Sequence, residues 1–498
     1  MKRILLGCVG FLYLAVLQAQ PLATRLERLL NDPVLRTSEV GITVYDLTVQ
    51  QPVFTYQDKK LYRPASIEKL LTGITALSEL GPNYAFTTSV YYKGVVADSI
   101  LHGDLYVVGG FDSEFGEQEM DELVGRVAAL GIHRIEGKVI GDVSLADSLY
   151  YGDGWSWNDA VYEFQPCLSP LMYCKGVVSV TAHPALQDTI AEVYVSPVSS
   201  YYTVENKTRC RRPEAGKFRV TRNWMEQGNR LIVAGNVSAR TTKLLSLHNS
   251  QNFFMHTFTE RLRRQGIETG DYCFGELSLR ADSLCVPDKV PPSVSPVHSD
   301  ADSLYVRGKS SLSADSAVWV ASVSHSLAEV LTRAMKKSDN LSAEAMLRHL
   351  ALTGDKKKHV SASDGVEIIG HLIRRMGYEP KDYCIVDGSG VSLYNYISPD
   401  LLLAFLKYAY ARPEVYTVLK ESLPIAGVDG TLQYRMRGKS AYKKVRAKTG
   451  TVTGISSLAG FARTPDNHVL AFVIINQNVL KAREARAFQD KVCVELCR

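Results

Sequence analysis

The 498-residue chain lacks a strong charge bias, its formal net charge being only +5. So small an excess over this length argues against a dedicated nucleic-acid binder. Beyond Leu17 there is no run long and apolar enough to cross a bilayer. Internal repeats are absent, which removes solenoids and propellers. Paired Cys-x-x-Cys and His-Glu-x-x-His arrangements are missing too, so no metal site is expected and no cofactor is implied.

What is present begins with an export signal. Lys2 and Arg3 form a charged head, Ile4 to Leu17 is apolar, and Ala19 offers a small residue for cleavage. Leu5-Leu6-Gly7-Cys8 resembles a lipoprotein box, but too few apolar residues precede Cys8, so cleavage near Ala19 is expected. The reading is a mature, soluble, periplasmic protein with residues 1–19 removed. Nine cysteines occur, and Cys8 alone precedes Ala19. In an exported chain the remainder permit disulfides; Cys167 with Cys174 and Cys273 with Cys285 are the local candidates, and the other pairings stay open.

Residues 23 to 31 predict a short amphipathic helix, and Val40 to Val53 reads as paired strands with a turn near Gln50-Gln51. From about 86 to 150 the pattern is short strands between glycine turns: Phe86 to Tyr92, Leu105 to Val108, and Lys138 to Ile140. Residues 176 to about 250 are again strand-rich. Within them Arg209, Arg211, Arg212, Lys217, Arg219 and Arg222 form a basic stretch. It reads as a solvated hairpin face, with peripheral contact to an anionic wall or membrane surface as the alternative. A helix is predicted at Asn252 to Gln265, then a Pro-, Ser- and Asp-rich stretch at 286 to 303. After about 315 helices dominate: Ser326 to Lys337, Ser342 to Leu352, Ala362 to Gly377, and Asp400 to Ala411. Strands at Val445 to Thr449, Ser457 to Ala462 and Val469 to Ile475, and a helix at Ala482 to Leu496, close the chain. The expected fold class is α/β, one domain built from both chain ends and interrupted by β-rich insertions after about residue 88.

The chemistry-bearing residues fall into three groups. In Arg63-Pro64-Ala65-Ser66-Ile67-Glu68-Lys69, Ser66 is placed at the start of a buried helix, with Lys69 one turn on. A serine hydroxyl needs a neighbouring base to become a nucleophile, and a lysine of lowered pKa can serve. Ser338-Asp339-Asn340 follows a predicted helix, and Lys448-Thr449-Gly450, followed by Thr451, lies on a predicted edge strand. Ser-x-x-Lys, Ser-x-Asn and Lys-Thr-Gly in this order form the motif set of penicillin-interacting serine enzymes.

With these motifs the chain resembles low-molecular-mass penicillin-binding proteins of the D-alanyl-D-alanine carboxypeptidase/endopeptidase family, peptidase family S13, over nearly its whole mature length. That family carries a long insertion between its first two motifs, and here about 270 residues separate Lys69 from Ser338. Four more stretches are similar: Gly103-Asp104-Leu105-Tyr106, Gly154 to Asp159, Asp387-Gly388-Ser389-Gly390-Val391-Ser392, and Gly427 to Leu432. The resemblance implies a β-lactamase/transpeptidase-like domain over 20–88 and 315–498, with two inserted β-rich domains, one over 89–175 and 251–314 and another over 176–250. It implies Ser66 as nucleophile, Lys69 as proton acceptor, Ser338 as proton relay, Asn340 orienting Lys69 and the substrate amide, and Lys448 keeping Lys69 neutral by its charge. Thr449, Gly450 and Thr451 would bind the substrate's terminal carboxylate and oxyanion. The implied partners are peptidoglycan stem peptides and β-lactam inhibitors. Asp159 matches a family aspartate that meets the amino group of the peptide's third side chain. The arginine that usually follows Asp-Gly-Ser-Gly-Leu-Ser is Leu393 here, so half of that recognition pair is replaced; the usual Gly-Gly-Asp-Pro stretch is altered to Gly109-Gly110-Phe111-Asp112-Ser113. The competing readings are a β-lactamase and a wall-binding, penicillin-sensing module with a vestigial site.

Overall fold

A computed structural model of the chain describes residues 21–277, 284–285 and 316–498. The expected export signal and the Pro-rich stretch at 286–303 lie outside these residues. The chain forms two compact units: one of residues up to Ile67 with Tyr396–Ala411 and Leu423–Arg498, the other of Glu68–Asn395 with Arg412–Ser422.

The first unit is built on a five-stranded antiparallel sheet in the order Val445–Val452, Gly454–Arg463, Val469–Val479, Glu39–Asp46, Gln51–Tyr56. Both ends of the chain therefore contribute strands, and the Lys-Thr-Gly strand is at an edge, as the sequence predicts. Val469–Val479 is rich in branched and aromatic residues that fit a pleated surface, and it is buried along most of its length because both faces are covered. Side chains alternate. Ile42, Val44, Leu458, Phe472 and Ile474 share a core with Phe488 and Val492 of the helix Ala482–Leu496. On the other face a Cβ at Gly41 would lie 2.6 Å from the Tyr62 ring and 2.8 Å from Pro399, which opens the helix Pro399–Tyr410.

In the second unit the helix Lys69–Glu79 is buried from Lys69 to Leu77, and all of Asn340–Ala351 is buried. Such helices carry no polar stripe, so tertiary packing rather than amphipathic patterning holds them. The unit also holds a seven-stranded mixed sheet, with Ala85–Ala97 and Ile100–Val108 as its long hairpin and Ala317–Ser326 antiparallel to the first. Val90, Leu105, Leu123, Val127, Phe253, Phe254 and Phe258 pack there, drawing in the helices Glu117–Ala128 and Ser250–Arg264. Two three-stranded sheets complete it, one from Thr203–Cys210, Arg230–Val237 and Arg219–Arg222, the other from Val177–His183, Glu192–Ser196 and Thr241–Ser246.

Several expectations need correction. Glu117–Ala128 is a helix inside the stretch read as short strands; Met120, Leu123, Val124 and Val127 mark its buried face, and the Glu119 carboxylate accepts the Gly116 N–H at 2.8 Å. Ala317–Ser326 is a strand where helices were expected. Cys167 and Cys174 are not joined, and both are free thiols, as is Cys273; the Cys285 side chain lies outside the described residues. Arg222 does not belong to a solvated face. It is buried, and its guanidinium donates to the carbonyls of Ser246 (2.8 Å), Ala160 (3.0 Å) and Gly228 (3.4 Å). Its neighbours Arg211, Arg212, Lys217 and Arg219 are exposed. Replacing Arg222 by alanine strands buried acceptors, so Arg222→Ala is expected to lower stability by roughly 2–4 kcal/mol in denaturant unfolding. Arg219→Ala is expected to change it by less than about 0.5 kcal/mol.

Candidate active site

The approach to Ser66 is pinned on the sheet of the first unit. Tyr62 and Ile397 exchange backbone hydrogen bonds of 2.9 and 3.0 Å, and the Arg63 N–H donates to the Gln477 side chain at 3.1 Å. Ala65 then takes φ 51°, a left-handed kink that turns the chain sharply. Ala65–Glu68 is one 3-10 turn and the α-helix starts only at Lys69, so Ser66 precedes the helix rather than occupying its first turn. Ser66 is half-buried.

The edge strand Val445–Val452 lies against this turn. A Cβ at Gly450 would sit 2.1 Å from the Ser457 hydroxyl, 2.9 Å from the Pro64 carbonyl and 3.0 Å from the Ser66 nitrogen. The Ser457 hydroxyl donates to the same Pro64 carbonyl at 2.6 Å. Glycine is thus what lets Lys448-Thr449-Gly450-Thr451 approach the Ser66 backbone. Lys448 is buried and its ammonium donates to the Thr449 carbonyl at 2.7 Å. The Thr449 hydroxyl donates to that of Thr431 at 2.8 Å, which brings in the Gly427–Leu432 stretch.

The second unit supplies the surroundings of Lys69. Its side chain is wholly enclosed, and Nζ donates to Asn340 Oδ1 at 2.7 Å and to the Ser389 carbonyl at 2.6 Å. Burial lowers its pKa from the ordinary lysine value to about 8, against the pull of Asp387, Glu344, Asp339 and Glu68. Of the two causes the sequence allows, burial and a neighbouring cation, burial is the largest here. Asn340 is fixed at both ends, because its Nδ2 donates to the Phe164 carbonyl at 2.5 Å.

Asp387-Gly388-Ser389-Gly390 holds the Ser389 carbonyl in place. The Asp387 carboxylate accepts from Gly390 N–H (2.8 Å), Ser392 N–H (2.7 Å), Asn395 Nδ2 (2.8 Å) and Trp155 Nε1 (2.8 Å). Gly388 N–H donates to Glu344 at 3.0 Å, the Thr72 hydroxyl donates to the Gly388 carbonyl at 2.8 Å, and buried Arg348 pairs with Glu344 at 3.3 Å. Gly154 packs on the next loop, where a Cβ would lie 2.6 Å from the Ser392 hydroxyl and from the Tyr394 ring. Leu393 in that loop is 41% exposed. Asp159 ends the 3-10 turn Trp157–Asp159, partly exposed, and burial raises its carboxyl pKa.

Sequence reasoning missed Glu68, Glu344, Arg348 and the Phe164 carbonyl. Glu344 and Arg348 sit four apart on an otherwise enclosed helix, which is the one signal that could have found them. Burial and Asp387 push Glu344 up to about 7. Glu68 is completely buried, neither carboxyl oxygen has a hydrogen-bond partner among the described residues, and burial with Asp387 and Glu344 drives its pKa well above normal. The folded state therefore holds a proton there that the unfolded chain releases above about pH 4.5. Stability attached to Glu68 is complete below that pH and is lost as pH rises toward the folded value. Glu68→Gln, a neutral mimic of the acid, is expected to melt higher than wild type at pH 8, with the gap closing toward pH 4.5 in thermal scans.

The sequence profile of the D-Ala-D-Ala carboxypeptidase 3 (S13) family matches residues 22–276 and 305–496. The D-alanyl-D-alanine carboxypeptidase of an Actinomadura species is 27% identical over 487 residues, covering 95% of this chain and 83% of that protein. The crystal structure of penicillin binding protein 4 from Haemophilus influenzae has a TM-score of 0.75 at 22% identity, covering 94% of this chain and 97% of that one. A second structure of that protein, complexed with a β-lactam, gives a TM-score of 0.69 at 21% identity, with coverage of 94% and 97%. With the profile spanning nearly all the described residues, the chain belongs to the S13 family and is a D-Ala-D-Ala carboxypeptidase.

Proposed function

We propose that this carboxypeptidase works through an acyl-enzyme on Ser66 and acts on peptidoglycan stem peptides outside the cytoplasmic membrane, with residues 1–19 as its export signal. The observation that carries the reading is the setting of Lys69. A neutral amine has two N–H bonds and one lone pair. Asn340 Oδ1 and the Ser389 carbonyl, at 2.7 and 2.6 Å, match the two N–H bonds. The lone pair is then the acceptor for the Ser66 proton, and enclosure favours the neutral form.

Ser66 attacks the carbonyl between the two D-alanines. Ser338 relays the proton to the leaving amine, and Asn340 keeps Lys69 and the substrate amide oriented. Lys448 and Thr449 hold the terminal carboxylate beside Gly450. The Ser66 and Thr451 N–H groups stabilise the oxyanion, each such donor being worth about 3 kcal/mol in other enzymes. Water releases the acyl group. Cleavage of cross-links, a DD-endopeptidase activity, follows from the same steps when the leaving amine belongs to a neighbouring stem peptide. Asp159 reads an amino group on the third side chain, and Leu393 leaves the accompanying carboxylate without a cation. β-Lactams mimic the substrate and trap Ser66; the β-lactam bound to the Haemophilus protein supports this.

Intact mass after incubation with penicillin tests the reading. A lasting adduct on wild type, absent from Ser66→Ala, is the expected result. Its rate of formation should rise with pH and reach half its maximum near pH 8, as Lys69 loses its proton. An adduct that vanishes quickly with hydrolysed drug would turn the assignment to a β-lactamase. No adduct on folded wild type would leave a non-catalytic wall-binding module.

A further inference from the structure

Ser338 has φ 59°. A serine holds this left-handed conformation only where its surroundings over-determine it. The next residue, Asp339, does much of that work. One of its carboxylate oxygens accepts the Ser342 N–H and hydroxyl, both at 2.9 Å, and so caps the helix Asn340–Ala351. The same oxygen meets the Lys175 ammonium at 3.1 Å. Lys175 also reaches Glu114 at 3.1 Å, and Glu114 is gripped by Arg333 at 3.0 Å, from the helix Leu327–Lys336 that runs into Ser338. The Ser342 hydroxyl closes the ring, 3.2 Å from Glu114.

Two shaped turns deliver these charges. Lys175 lies in a run of positive φ, 47° at Cys174, 61° at Lys175 and 67° at Gly176. Glu114 follows the altered Gly109 to Ser113 stretch, where Phe111 has φ 53° and the Glu114 N–H donates to Asp112 at 2.9 Å. Asp112 is in turn bonded to His325 at 2.8 Å. Backbone strain at both turns thus serves one charged junction behind the Ser-x-Asn motif.

We propose that Lys175, supported by Glu114, is a positioning residue for acyl transfer: it fixes Asp339 and thereby the flanking Ser338 and Asn340. This rests on the Ser66 acylation reading above. Without the Lys175 charge, Arg333 still offsets Glu114, but Asp339 loses the ammonium that lies between it and Glu114 and faces that carboxylate across Ser342, and like charges at that separation repel. The turn relaxes, and Asn340, which holds Lys69 at 2.7 Å, moves with it. Lys175 acts through Asp339, so its loss should alter the rate of bond formation and not substrate affinity.

The test uses the full chain and four variants: Lys175→Met, Asp339→Asn, their double, and Lys175→Arg. Penicillin acylation rates are measured, with kcat and KM on a peptide ending in D-Ala-D-Ala. Asparagine still caps the helix, so Asp339→Asn removes the ion pair without the cap and remains informative if Lys175→Met folds poorly. The expected loss in kcat and acylation rate is on the order of 10- to 100-fold, with KM nearly unchanged. The double variant should lose no more than either single variant, and arginine should recover most of the rate. A wild-type rate in Lys175→Met overturns the inference, as do losses that multiply in the double variant or appear in KM alone. A wild type that takes no adduct overturns the Ser66 reading itself, and the inference with it.

Discussion

Enclosing an amine is the constraint from which the rest follows. A lysine in a packed interior loses its hydration, and its charged form is disfavoured unless neighbours compensate. Lys69 is held by two oxygens, those of the Asn340 side chain and the Ser389 carbonyl. Those oxygens must themselves be fixed. The Phe164 carbonyl fixes Asn340, and the Asp387 carboxylate fixes the Ser389 carbonyl by gathering backbone and side-chain donors around one turn. The second unit therefore devotes acidic side chains to geometry. They organise peptide groups, and only secondarily do they raise the basicity of Lys69.

Strain is placed where this geometry begins. Ala65 and Ser338 both adopt left-handed angles, each next to or within a motif. For residues other than glycine such angles cost about 1–2 kcal/mol. At Ala65 the cost bends the chain so that Ser66 leaves the sheet and enters a tight turn. Gly450 answers from the adjoining edge strand of the same unit, since only a missing Cβ allows that strand to come so near. One position that needs a side chain in an unfavourable conformation is thus matched by another that cannot have a side chain at all.

The motifs were legible in the sequence because their chemistry is written in residue types at fixed spacing: Ser66 with Lys69, Ser338 with Asn340, and Lys448 to Gly450. The split sheet was legible too, since alternating strands at both ends had no other partners. The buried carboxyls were not. Glu68 reads as an ordinary polar residue in a helix, and nothing local announces that Asp387 and Glu344 converge on it. Arg222 was misread for the same reason: six basic residues in a row of strands look alike until three carbonyls are seen around one of them. The helix Glu117–Ala128 carried its periodicity in plain view, but its glycine-rich surroundings favoured a strand interpretation.

The strand order of the first unit has a consequence for how the protein is made. Glu39–Asp46 pairs in register with Val469–Val479, so the earliest strand waits for nearly the last. Three of the five strands follow Val445. During synthesis the Ser66 segment must remain without its sheet while the whole intervening unit emerges, and that unit has a core of its own on which to condense. The Ser66 turn therefore gains its sheet at the end of synthesis, when the C-terminal strands arrive. A chain cut short between Val452 and Val469 would carry every residue of all three motifs and still lack the centre strand of that sheet.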